Sequence, residues 1–299
     1  MRVRAKLIVD KALKYFFRAL LVLLCITYVV PVVWMMMNSL KGPLEYYLKP
    51  TYAAPDSWIN FSSYKYFFEH IQYTVSTSEG KMLYTLPWMF YYSLLWAILP
   101  SVWSVTLSFM CAYVIAKYRF PGRAFLYSLG IIVMILPIVG STGSMLLIRK
   151  RLGIYNNMWL TALTMPACAF SGMHFLAMYA AFKGIPWDYA EAVFIDGGGH
   201  LRVFTTIMLP MALPSGMVFV LLNFIAYWND YSTFLFWLPR YANLARGIYN
   251  YQYDGRISMG ASIPDILAGF AVVSIPIVIL YASVQKVITS NLVVGGLKG

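Results

Sequence analysis

The fold class that this sequence predicts is an all-α, polytopic membrane protein with six transmembrane helices, and three observations predict it. Hydrophobic residues make up 61% of the 299 residues and charged residues 11%, with a mean hydropathy of +0.67, a composition that excludes a soluble globular domain. Six windows contain no Asp, Glu, Lys or Arg: residues 19–37, 82–116, 124–148, 152–182, 203–229 and 266–285. Each is about as long as, or longer than, the roughly 20 apolar residues a helix needs to cross a bilayer. The basic residues Arg2, Arg4, Lys6, Lys11, Lys14 and Arg18 precede the first window and hold the N-terminus on the cytoplasmic side.

Residues 1–18 form the cytoplasmic N-terminal segment and 19–289 the membrane domain. The first span is retained rather than cleaved, because its apolar run is too long for a signal peptide and no small-residue cleavage pattern follows Met37. An external loop of about 38–90 follows, rich in proline and aromatic residues that suit an interfacial belt or a small cap for a soluble partner. The second and fourth windows exceed one span, so their helices are expected near 91–116 and 158–181. Lys117, Arg119 and Arg123 return the chain to the cytoplasm after the second span. Arg149, Lys150 and Arg151 fall outside after the third and run against the usual charge distribution. A second external loop covers about 238–265, and residues 290–299 form a cytoplasmic tail. Pro31, Pro100, Pro137, Pro214 and Pro276, one in each of five spans, remove backbone donors and bend helices that line a cavity or move.

The segment from Tyr189 to Pro210, YAEAVFIDGGGHLRVFTTIMLP, is a polar break between two apolar runs. Glu191, Ala192 and Val193 suit a short helix, and Asp196 followed by Gly197, Gly198 and Gly199 ends it at a turn that needs positive φ. A second amphipathic piece places Leu201, Val203, Phe204 and Ile207 at helical spacing before Leu209 and Pro210 open the fifth span. A helix, a turn and a helix at the membrane surface are expected over about 183–206.

Glu191, Ala192, Asp196, Gly197, Ile207, Leu209 and Pro210 give this segment a resemblance to the EAA loop of binding-protein-dependent ABC importer permeases. Two positions depart from that pattern, Val193 and Gly198, where the family has alanine. The resemblance implies a type I importer fold in which Tyr189, Glu191, Ala192, Asp196, Gly197, Gly198, Leu209 and Pro210 couple the spans to an ATPase. The chain has no G-x-x-x-x-G-K-[ST] loop, so ATP and magnesium belong to the partner ATPase, and no cofactor is expected on this chain. His70, His174 and His200 are far apart, and Cys25, Cys111 and Cys168 lack metal or redox spacing, so no catalytic or metal centre is expected.

A second signal, Tyr227, Trp228, Asn229 and Asp230 near the outer end of the fifth span, resembles the Trp-Asn-acidic motif of carbohydrate-type permeases. Polar groups at membrane depth face a wet path or a partner, so these residues and Pro137 are the candidate substrate path, with helix capping as the structural alternative. Ala112, Tyr113, Arg119, Phe120, Pro121, Gly122 and Arg123, with Gln285, Lys286, Gly295, Gly296, Lys298 and Gly299, narrow the resemblance to the maltose-transporter type. Tyr92 stands where that family has asparagine. The resemblance implies an oligosaccharide as cargo and a cytoplasmic membrane setting with both termini inside. It also implies a second permease forming a heterodimer, two ATPase subunits, an extracytoplasmic solute-binding protein and surrounding lipid, with no nucleic acid. A sugar acid or a glycerophosphodiester is the alternative cargo, favoured by Arg149, Lys150 and Arg151; a non-transporting assembly protein is the rival from another class.

Overall fold

The computed structural model describes residues 2–77, 80–136, 140–164, 172–258 and 260–294. They form α1 (Arg2–Ser39), α2 (Pro43–Leu48), α3 (Ser62–His70), β1 (Gln72–Thr77), β2 (Gly80–Thr85), α4 (Leu86–Lys117), α5 (Arg123–Ile135), α6 (Thr142–Arg151), α7 (Met158–Thr164), α8 (Gly172–Gly184), α9 (Asp188–Ile195) and α10 (His200–Val203). A π-helical turn, Phe204–Met208, then leads into α11 (Leu209–Trp228), followed by α12 (Ser232–Phe236), α13 (Leu244–Ser258) and α14 (Ile263–Val294).

Four stretches are long and apolar enough to cross a membrane: Lys11–Ser39, Leu86–Lys117, His200–Trp228 and Ile263–Ser283. They coincide with the first, second, fifth and sixth expected spans. The third window carries α5 and α6, and the fourth carries α7 and α8. Pro137 and Cys168 lie outside the described residues.

Element bounds differ from the sequence expectation where local backbone chemistry intervenes. α4 starts at Leu86 rather than near 91, because Pro87 in its first turn has the fixed φ that suits a helix start and Thr85 before it is extended. It stops at Lys117: Tyr118 is extended, and the Phe120-Pro121-Gly122 turn uses the left-handed Gly122, at φ +87°. The 38–90 region, expected as a loop, holds α2, α3 and the antiparallel hairpin, whose register runs from Gln72↔Thr85 to Thr77↔Gly80. Within the second expected loop, α13 forms because Leu244, Ile248 and Tyr251 recur on one buried face.

The chain divides into two compact units. The first comprises Met1–Ile71 and Asn250–Ser274. In it Phe67 is fully buried and meets Tyr251 edge to face at 5.5 Å. The Asn38 amide donates to the carbonyls of Trp34 (2.8 Å) and Thr51 (2.9 Å), Ser39 and Tyr64 share a 2.7 Å bond, and Lys41, 0% exposed, donates to the Pro50 carbonyl at 3.2 Å. Burial lowers the Lys41 pKa below its ordinary value, with Glu45 acting in the opposite sense.

The second unit comprises Gln72–Tyr249 and Ile275–Gly299. Its larger core joins Val105, Phe109, Ala112 and Tyr113 of α4 to Phe175, Met178 and Phe182 of α8 and to Ala212 of α11. Gly216 admits α4 closely, since a Cβ there would lie 2.2 Å from Phe109 Cε2. A second cluster, Trp96, Met158, Ala162, Phe234 and Leu238, fills the other end of α4. Arg246, 5% exposed, donates to the carbonyls of Phe234 (2.6 Å), Pro239 (3.0 Å) and Tyr241 (3.0 Å) and to the Tyr73 hydroxyl (2.8 Å), so one buried guanidinium fixes the 234–241 segment to β1.

Candidate functional site

The Tyr189 to Pro210 segment folds as a helix, a turn and a helix. After α9, Asp196 is the last residue near helical geometry and Gly197 adopts φ +78°. The Gly197 amide donates to the Phe194 carbonyl (3.0 Å) and the Gly198 amide to the Val193 carbonyl (2.8 Å). That pair of bonds is a Schellman stop, which requires a left-handed residue at Gly197. Ala190 and Val203, both fully buried, insert the segment into the α4–α8 core, with Val193, Phe194 and Trp187 packed at its edge. The two departures from the alanine pattern touch one another: a Cβ on Gly198 would stand 2.5 Å from Val193 Cγ1.

Several residues that the sequence reading did not connect to the segment buttress it. Tyr118 Oη lies 3.0 Å from His200 Nδ1 and 3.1 Å from Tyr113 Oη, and Lys117 donates to the Ile185 carbonyl. Phe194 meets His200 edge to face at 4.9 Å. The Tyr113 to Arg123 motif thus braces the turn. Its available signal was the aromatic residues beside the Arg-Phe-Pro-Gly-Arg turn.

Facing outward are Glu191, Ala192, Asp196 and Gly197, together with Tyr189 (48% exposed), Ile195 (86%) and Leu201 (76%). Leu201 departs from the expected amphipathic pattern by pointing away from the core. Below it, the π turn exists because Pro210 has no N–H and its ring crowds the carbonyl four residues back; the Leu209 amide instead reaches the Phe204 carbonyl, five residues back.

At the other end of α4, the Tyr227 to Asp230 segment is tightly held. Trp228 is fully buried, stacked with Phe224 at 5.8 Å and edge-on to Phe90 at 5.8 Å. Asp230 Oδ1 accepts from the Ser232 hydroxyl (2.8 Å) and the Thr233 amide (3.0 Å), and Oδ2 accepts from the Trp96 indole (3.2 Å). Asp230 therefore caps α12 and ties it to α4. Tyr227 is half-buried against Trp96, and Asn229, the exposed member of the four, donates to the Ile225 carbonyl at 2.8 Å. Nearby, burial pushes the Tyr84 phenol up to about 12 while it donates to the Arg240 carbonyl at 2.8 Å.

Residues 88–293 match the family described as the inner membrane component of binding-protein-dependent transport systems. The chain belongs to that family. This permease is 28% identical over 284 residues, 91% of its length and 85% of the relative's, to the diacetylchitobiose uptake system permease of Streptomyces coelicolor. It is 30% identical to the arabinooligosaccharides transport system permease of Halalkalibacterium halodurans, covering 72% of this chain and 75% of that one. Its fold is similar to a chain of a bacterial ABC transporter that imports the acidic polysaccharide alginate, with a TM-score of 0.68, 17% identity, and 93% and 96% of the two chains covered.

Proposed function

We propose that this permease carries a carbohydrate, as an oligosaccharide, across the cytoplasmic membrane by alternating access, with a separate ATPase docked on the α9–α10 segment. The observation that carries the reading is the outward face of that segment. Ile195 and Leu201 are large, apolar and exposed beside Glu191 and Asp196, while Ala190 and Val203 root the same turn in the core between α4 and α8. A rigid turn with an apolar outer face suits a groove on a partner protein. Force applied there reaches α11 through the π turn. The curated relatives named above are oligosaccharide permeases, which supports the cargo class.

In this reading both termini are cytoplasmic, a second permease completes a heterodimer, two ATPase subunits bind ATP and magnesium, and an extracytoplasmic solute-binding protein delivers cargo. Asn229 and Tyr227 remain the candidate cargo contacts of the outer half, and Pro137 is a candidate from its place in the sequence alone. The test is co-purification from membranes and ligand-stimulated ATP hydrolysis in the reconstituted complex. Ile195→Asp or Glu191→Arg is expected to insert normally and lose the ATPase on detergent purification. Full retention of the ATPase by both variants would sink the docking assignment.

A further inference from the structure

Arg149, Lys150 and Arg151 close α6 at the end of the second unit that holds Trp96, Asp230 and Trp237, opposite the α9–α10 segment. Among the described residues no carboxylate forms an ion pair with them. The ion pairs among the described residues are Lys49 with Glu45 and Asp56, and Lys65 with Glu69, all in the other unit. Asp230, the carboxylate of this region, has both oxygens bonded to Trp96, Ser232 and Thr233. The C-terminal carbonyls of α6 are taken too: the Arg149 carbonyl accepts from the Ile154 (2.9 Å) and Tyr155 (3.1 Å) amides, and that of Lys150 from Gly153 (3.3 Å). The helix dipole favours cations at this terminus, which eases their placement without satisfying their N–H groups.

Two of the three side chains lie over aromatic rings. The Arg149 guanidinium lies over the Trp237 ring at 4.9 Å, and the Lys150 ammonium over Tyr155 at 5.0 Å. One terminal nitrogen of Arg149 is buried with no hydrogen-bond partner. A guanidinium presents its donors in a planar fork that matches a carboxylate, sulfonate or phosphate, and a buried donor left unmade is costly. The wall behind it is rigid. Asn156 holds φ +61°, its amide donates to the Trp237 carbonyl (2.9 Å), and its side-chain oxygen accepts from the Arg240 amide (2.9 Å).

We propose that the Arg149–Arg151 end of α6, with Trp237 behind it, is an anion-binding site that takes the acid group of the cargo, so that the carbohydrate carried is an acidic one. The inference rests on the carbohydrate reading above. An anionic lipid headgroup offers the same oxyanion chemistry, but the placement of Arg149 and Lys150 over Trp237 and Tyr155 favours a ligand reached from the protein side.

The test uses the assembled transporter in nanodiscs of neutral phosphatidylcholine, titrated with galacturonate and with galactose, which share stereochemistry and differ at the C6 carboxylate. The signal is the Trp237 fluorescence, isolated by subtracting the Trp237→Phe protein. Galacturonate is expected to give a saturable change at least about tenfold tighter than galactose. Arg149→Gln should abolish it, and Arg151→Gln, at an exposed position, should weaken it and reduce its sensitivity to added salt. No saturable change, or equal responses to the two sugars, overturns the proposal. So does a change produced only when phosphatidylglycerol is put into the disc and not displaced by galacturonate, which identifies a lipid site. Failure here is separable from failure of the broader reading: ATP hydrolysis stimulated by neutral oligosaccharides alone would keep the carbohydrate permease and remove the acidic cargo.

Discussion

Val193 and Gly198 offer a quantitative test of how the turn is built. A methyl group on Gly198 would stand 2.5 Å from Val193 Cγ1, 3.0 Å from the Val193 carbonyl and 3.1 Å from Arg202 Cδ. Valine in a helix keeps one dominant rotamer, so Cγ1 cannot swing aside. Gly198→Ala alone should therefore cost about 1–3 kcal/mol by overpacking. Val193→Ala alone removes two half-buried carbons, at about 0.8 kcal/mol per fully buried methylene, for a loss of about 1 kcal/mol. Combined, the two substitutions restore alanine at both positions and remove the Cγ1 clash, leaving the contact with the carbonyl. The double variant should recover about 1–2 kcal/mol relative to the sum of the singles. Hydrogen exchange reads this directly, through the amides of Gly197, Gly198 and Val203 that bond to Phe194, Val193 and Gly199. Gly198→Ala should speed their exchange by about 5- to 150-fold, at tenfold per 1.4 kcal/mol, and adding Val193→Ala should return most of that loss. If the double variant exchanges as fast as the product of the two singles, Val193 is not what reserves position 198 for glycine.

Gly197→Ala, at φ +78°, should destabilise the turn by about 1–2 kcal/mol without loss of any contact, measured by the same exchange experiment. Asp230→Ala strips three donors of their acceptor and should lower thermal stability by about 2–4 kcal/mol; an unchanged melting temperature with lost transport would instead assign Asp230 to the cargo path. Arg246→Met leaves three carbonyls and the Tyr73 hydroxyl without their donor and should cost about 3–5 kcal/mol in a detergent melt, with Arg246→Lys failing to restore it because an ammonium lacks the planar fork. Lys41 binds fewer protons folded than unfolded because burial lowers its pKa, so stability should rise as pH climbs toward 10.5; Lys41→Met should flatten that slope, and an unchanged slope would refute the assignment.

Composition and charge-free windows made the helical membrane class legible, and the Asp196-Gly197 turn was legible because left-handed geometry has a short residue menu. Other features depend on partners remote in sequence. Asp230 meets Trp96 across 134 residues, which no local spacing encodes, so its capping role and its candidate cargo role looked alike. The hairpin was hidden because only its first strand, Gln72 to Thr77, alternates polar and apolar residues, while Met82, Leu83 and Tyr84 of the second run consecutively and open the charge-free window that follows. Helical spacing continued to Pro210 would turn Leu201 inward, whereas it is exposed. Val203, Met208 and Ala212 are the buried series instead, spaced five and then four. The five-residue step belongs to the π turn, and it is invisible to a search at period 3.6.

That extra residue sets a phase. In a continuous α-helix five residues sweep about 500°, leaving Val203 and Met208 roughly 140° apart. The wider turn brings both into the same core, so the rod from Leu209 to Trp228 is indexed to the segment above it by a register one residue out of step. Deleting one residue from 204–208 would spin that rod by about 100° about its own axis while leaving its length almost unchanged. The link between the turn and the rod therefore fixes an angle as well as a distance, and Pro210 is the pin that sets it.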